Sequence, residues 1–262
     1  MIRKTFGFSI IELAIVLVIL GLLVGGILVG RSLIRASELR SIIEDINRFQ
    51  LAARAFQDKY LARPGDMNNA TRFWGEAAVG NACKITDSRA LLNPQNTCNG
   101  NADGYISDWL TISNEHFRLW QHLANAGLIE GVYSGIEGST GNSRHAVPGS
   151  NVPSGKISNT GYSVESKGTP DPANAYYWAG NAANVLFFGR TQGTINTERP
   201  ALIPSEAWNI DAKMDDGKPA LGKLRSQKNF TNCHTTQIAD TSEYRYDMVS
   251  VQCQLLLYGF IP

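Results

Sequence analysis

The chain has 262 residues, a formal net charge of +1 at pH 7, 43% hydrophobic residues and 18% charged ones. This length allows a globular domain with its own core plus an anchoring segment, and so balanced a charge excludes a general polyanion binder such as a nucleic-acid protein. The four cysteines, Cys83, Cys98, Cys233 and Cys253, lack CxxC spacing, which argues against a zinc ribbon or a thioredoxin-like motif.

In chain order, the first seven residues, MIRKTFG, form a short basic leader carrying Arg3 and Lys4. Residues 8–30 then read FSIIELAIVLVILGLLVGGILVG, long enough to cross a bilayer as a helix. Arg31 and Arg35 follow, so positive charge flanks the segment on both sides and does not orient it. The apolar run exceeds the h-region of a secretory signal peptide, and no small-x-small cleavage site follows it. A plain membrane anchor has no use for Glu12, because a carboxylate in a membrane helix costs about 2.5–3.5 kcal/mol. Such an acid implies a partner.

The run Gly7-Phe8-Ser9-Ile10-Ile11-Glu12-Leu13 resembles the signature of prepilins, the family of type IV pilins and type II secretion pseudopilins. The resemblance implies cleavage by a prepilin peptidase after Gly7 and N-methylation of Phe8. Glu12 then becomes the fifth mature residue, where the family has its glutamate. It also implies other pilin or pseudopilin subunits, an inner-membrane assembly platform and membrane lipid as partners. The expected location is the bacterial inner membrane, single-pass with a periplasmic head, and then a filament. The physics agrees with that role. Cleavage creates a positive amine at Phe8, and in a low-dielectric helix bundle it can pair with Glu12 of a neighbour.

Beyond the apolar run, Leu39, Ile42, Ile46, Phe49, Ala53, Phe56 and Tyr60 recur at alternating spacings of three and four, a helical stripe. The stripe fits packing on the protein's own head, or a short coiled-coil seam of about three heptads. No proline occurs before Pro64, and Arg63-Pro64-Gly65-Asp66 stops the helix. One helix is therefore predicted over residues 8–61, roughly 80 Å long. Gly21, Gly25, Gly26 and Gly30 either soften it locally or let membrane helices pack closely. A second helix is predicted over 114–126, long loops over 131–172, and strands over 183–188 and 248–258.

The expected fold is α+β and pilin-like, with one long N-terminal helix on a strand-rich, disulfide-containing head. Its parts are the leader 1–7, the membrane or filament-core helix 8–30, its amphipathic continuation 31–62 and the head 63–262. All four cysteines lie beyond the apolar run, which suggests disulfides in an oxidising compartment rather than free buried thiols. Nearness in sequence favours Cys83 with Cys98 and Cys233 with Cys253, although four cysteines allow three connectivities.

Nothing in the sequence requires a cofactor, but two acidic loops have the makings of calcium sites. Asn99, Asn101 and Asp103 alternate like the front half of a calcium loop. Its twelfth position is Leu110, so Asp108 or Glu115 would have to close the shell. The second candidate is Asn209, Asp211, Asp215, Asp216 and Gly217. Asx-rich turns explain either set without a metal. Family resemblance favours calcium, since major pseudopilins carry one in a head loop. No catalytic motif appears. His116, His122, His145 and His234 have no metal-ligand spacing, and no GxSxG, P-loop or Rossmann fingerprint is present. The reading is a structural filament subunit and not an enzyme. The alternative is a membrane-anchored enzyme or binding protein that uses a prepilin-type signal.

Overall fold

The computed structural model describes residues 9–77, 93, 95–106, 115–136, 145–168, 173–180, 183–191 and 196–261. Helix α1, Ile10–Tyr60, is a single element of 51 residues. It ends at Leu61, whose φ is +53°. Pro64 and Gly65 then prevent continuation. The chain divides into two compact units, residues 1–40 and residues 41–262.

In the first unit, the large apolar side chains from Ile10 to Ile34 are exposed. This part of α1 is long and apolar enough to cross a membrane.

In the second unit the stripe is buried. Ile42, Ile46, Phe49, Ala53 and Phe56 are core residues together with Ala52, and Tyr60 is half-buried. Packing on the chain's own head therefore accounts for the stripe. Phe49 meets Trp120 edge-on at 5.0 Å and Tyr162 at 5.1 Å. The Tyr162 hydroxyl donates to Asp45 Oδ2 at 3.1 Å. Burial holds the Asp45 carboxyl above its usual range, and Arg48 opposes that.

The head has a short helix α2, Thr71–Trp74, then α3, Glu115–Asn125, and α4, Pro204–Met214. Its antiparallel sheet comprises β1, Thr160–Lys167, β2, Ala183–Arg190, β3, Leu224–Arg225, and β4, Leu255–Ile261. The strand order is β1-β2-β4-β3. Register sets the two faces. Tyr162 opposes Phe188 and Val164 opposes Leu186 on the face that meets α1. Glu165 opposes Val185 and Lys167 opposes Ala183 on the other. That second face carries a buried cluster of Val185, Phe187 and Leu256, with Tyr177 and Tyr258 against it.

Three expectations change. Residues 131–172 are not all loop, because β1 lies within them. Its Tyr162 and Val164 alternate with polar Ser163 and Glu165, and all four are buried. The strand over 248–258 starts only at Leu255, because residues before it turn to bond Leu202. Helix α4 was unexpected. Pro204 opens it and Glu206 Oε2 accepts the Ile203 N–H at 3.1 Å, a sound helix start hidden among Asn and Asp residues. Among the described residues, the strands of the head form one four-stranded antiparallel sheet.

Cys233 and Cys253 form a buried disulfide with Cα atoms 5.1 Å apart. Closing a loop of this length stabilises by roughly 3 kcal/mol. Cys98 is also disulfide-bonded. Cys83, the other half of that expected pair, lies outside the described residues.

Candidate functional site

Gly7 and Phe8 lie outside the described residues. Glu12 stands in the first turn of α1, and its Oε2 accepts the Ser9 N–H at 2.8 Å. The Ser9 hydroxyl in turn accepts the Ile11 N–H at 3.4 Å. Ser9-x-x-Glu12 thus has capping-box spacing, a role the sequence reading missed although the pattern is plain. Cleavage before Phe8 would leave this cap intact. Glu12 is the sole carboxylate of residues 9–37, in an otherwise exposed apolar helix.

The first acidic loop draws its carboxylates from three places. Carboxylate oxygens of Asp66, Asp103 and Glu115 lie within 4.8 Å of one another. Asp66 follows the helix stop, and Glu115 begins α3. Asp66 Oδ1 accepts the Asp103 N–H at 3.1 Å and its Oδ2 the Gly104 N–H at 2.9 Å. Burial, more than any other influence, holds Asp66 above the usual carboxylate range, while the Gly104 bond works against it. Gly65 has φ +88°, and a Cβ there would stand 2.5 Å from the Glu115 carbonyl oxygen. The turn after α1 packs this closely on the start of α3 only because that side chain is missing. Asn99 and Asn101 spend their amide oxygens on the fold: Asn99 accepts the Thr71 N–H at 2.9 Å, and Asn101 the Asp103 N–H at 3.0 Å. Asp108 lies outside the described residues.

The second group is Asp211, Asp215 and Asp216, also within 4.8 Å of one another. Asn209 and Asp211 belong to α4 rather than to a loop, and Asn209 is exposed on it. Asp211 is fully buried, accepting the Tyr244 hydroxyl at 2.7 Å and the Gly217 N–H at 3.2 Å. Asp215 Oδ2 accepts the N–H groups of Lys223 and of Leu224. A side chain at Gly222, with φ +65°, would collide with that carboxylate.

Burial pushes the Asp211 carboxyl up to about 7, against its bonds to Tyr244 and Gly217. Because the folded value lies above the unfolded one, the folded state holds the extra proton. The resulting stability is complete at acid pH and is lost as pH rises through 7. In chelator, the protein should therefore lose up to about 4 kcal/mol between pH 4 and pH 8, at about 1.4 kcal/mol per pH unit. Asp211→Asn should remove most of this slope in denaturant melts. Equal slopes for the two proteins would refute the assignment. A divalent cation held by the three acids would restore wild-type stability at pH 8.

Helix α3 is buried on every side from Glu115 to Leu123. Its polar groups are connected in one direction. The Gly65 N–H donates to His122 Nδ1 at 3.0 Å, so the ring proton sits on Nε2 and points to Thr97 Oγ1, 2.9 Å away. The Thr97 hydroxyl donates to Gln121 Oε1 at 2.8 Å, as does Arg118 Nη1. Burial, and secondarily the Arg118 charge, lowers His122 to about 3. A histidine kept neutral and hydrogen-bonded on both nitrogens is a structural joint. A cleft of about 600 Å³ is lined by His145, Lys156, Thr160 and Thr191 among others. Its Thr160 and Thr191 hydroxyls donate to the backbone carbonyls of Ile157 and Ala146.

No protein-family model, no curated protein and no solved structure matches this chain.

Proposed function

We propose that the protein is a structural subunit of a filament of the type IV pilus or type II secretion pseudopilus kind. A prepilin peptidase removes residues 1–7, Phe8 is methylated, and subunits join through residues 8–30 of the helix. The reading places the chain in the bacterial inner membrane with its head in the periplasm, until an assembly platform moves it into the filament. It assigns no catalysis to the head. The two acidic groups are its candidate calcium positions.

One observation carries the reading. A single helix has its second half built into the head, while its first half exposes apolar side chains around one carboxylate, Glu12. Bare apolar surface of this extent needs lipid or other helices to cover it. The acid specifies more than lipid does, because it needs a counter-charge at a fixed height. Gly21, Gly25, Gly26 and Gly30 suit the same surface, since a Cβ on any of them would meet nothing in this chain. Neighbouring helices can approach closely there.

Processing is the direct test. Gly7→Val, co-expressed with an active prepilin peptidase, should keep its leader, because a side chain at that position obstructs entry into the protease groove. The mass of the membrane-extracted protein reports the result. Removal of residues 1–7 from the variant at the wild-type rate would overturn the cleavage assignment.

A further inference from the structure

On the sheet face away from α1, two side chains converge on one oxygen of a third. Lys167 Nζ lies 2.6 Å from Glu165 Oε2. The Asn196 side-chain amide donates Nδ2–H to the same Oε2. Glu165 and Lys167 share a face of β1 because they are two residues apart. Asn196 arrives from the segment between β2 and α4. The site is largely shielded from water, with Glu165 8% exposed and Asn196 4%, and the Glu198 carboxylate lies near enough to interact with Lys167 and Glu165. Lys167 Nζ also lies 4.8 Å from the ring centre of Tyr177 and 5.5 Å from that of Phe187.

We propose that Lys167 and Asn196 are joined by an intramolecular isopeptide bond, formed without an external enzyme, with Glu165 as the proton-transfer group. Two nitrogens bonded to one oxygen lie within about 5 Å of each other, and the amide carbon is one bond further. Glu165 takes a proton from Lys167 Nζ, and the free amine attacks Asn196 Cγ. The new C–N bond forms and the Cγ–Nδ2 bond breaks; Glu165 returns the first proton to Nδ2 and relays a second from the attacking nitrogen, so the leaving group departs as ammonium. A primary amide and a lysine ammonium thus become a secondary amide and an ammonium ion. Glu165 ends unchanged, and the step needs no oxidant or reductant. Glu165 and Asn196 are buried and Lys167 is half-buried, so the reactants are held in the proximity that such a slow reaction requires.

The bond would fasten an edge. Strand β1 is terminal in the sheet, and the segment after Asn196 lies along it. The Thr197 N–H donates to Ser163 Oγ at 2.9 Å. A covalent tie one step away would hold that cover against forced separation. This inference stands whether or not the protein forms a filament.

The test is peptide mapping by tandem mass spectrometry of the full chain, extracted in detergent, then denatured, reduced and digested. One branched species should contain both Lys167 and Asn196, lighter by one ammonia than the two linear peptides together. Linear peptides for both residues, recovered from folded protein, would overturn the proposal. So would an ammonia loss located only at Asn99-Gly100, where it marks a cyclic imide. Lys167→Arg and Asn196→Ala should each leave the remaining partner linear. Glu165→Gln, checked for folding by its Cys233–Cys253 disulfide, should also give linear peptides. Full branching in that variant would remove Glu165 from the mechanism.

Discussion

Glu12→Ala should be cut after Gly7 like the wild type, yet enter filaments over a hundredfold less readily. The effect comes from the partner left behind. On the proposed function, cleavage would give each subunit a positive amine at Phe8, and in a helix bundle Glu12 of a neighbour would be its counter-charge. Leaving one member of a buried pair alone costs about 3–5 kcal/mol, and each 1.4 kcal/mol is about a factor of ten. Insertion of the variant should improve slightly, because the membrane no longer holds a lone carboxylate.

The capping box complicates Glu12→Ala, since alanine removes both the charge and the bond to Ser9. Loss of such a cap costs about 1 kcal/mol, too little for the expected defect. Glu12→Gln separates the two roles. Glutamine keeps the capping-box bond but carries no charge. Crosslinking of mature variants to wild-type subunits in membranes measures the difference. Strong impairment of both variants supports pairing across subunits. Normal assembly by Glu12→Gln with impairment by Glu12→Ala would reduce Glu12 to a helix cap. Normal assembly by both would leave only an anchor.

Phe49→Ala should destabilise the head by about 3–5 kcal/mol, the range for deleting a buried aromatic ring. Phe49 is 2% exposed and braced by Trp120 of α3 and Tyr162 of β1, so three elements lose a shared contact. Domains of ordinary stability hold only about 5–15 kcal/mol in total, so the variant should be near unfolding at growth temperature. Leu51→Ala, two residues along the same helix, is the control. Leu51 is 69% exposed, and its loss should cost under about 0.5 kcal/mol. Denaturant melts of the full chains in detergent, followed by tryptophan fluorescence, read both. Equal midpoints for the two variants would mean that the stripe does not form the core of the head.

The candidate sites were legible to different depths. Glu12 was found because an acid in an apolar run violates a local cost, which needs no fold to see. Asp103 was found through its alternating loop and Glu115 as one of two acids able to close its shell, but Asp66 was missed and the three were not derivable as a set. Asp66 and Glu115 lie 37 residues before Asp103 and 12 after, and no periodicity spans such gaps. Asp211 was found as an acid but misplaced in a loop. Pro204 and Glu206 signal a helix start, and the Asn and Asp residues around them had outweighed that signal.

The sequence by itself determined α1, its buried stripe, its stop at Pro64, helix α3 and strand β2. These depend on neighbours three or four residues apart, or alternating by two, so local periodicity carries them. It also determined that residues 8–30 are apolar enough to span a membrane. Only the tertiary structure decided that α3 is buried on every side, polar residues included. A buried His122 looks like a surface residue until Gly65 and Thr97 arrive from elsewhere to satisfy it. The same holds for β1, whose polar Ser163 and Glu165 read as loop until Thr197 and Asn196 cover them. Hydrogen-bond partners distant in sequence decide whether a polar side chain can be buried, and the fold alone supplies those partners.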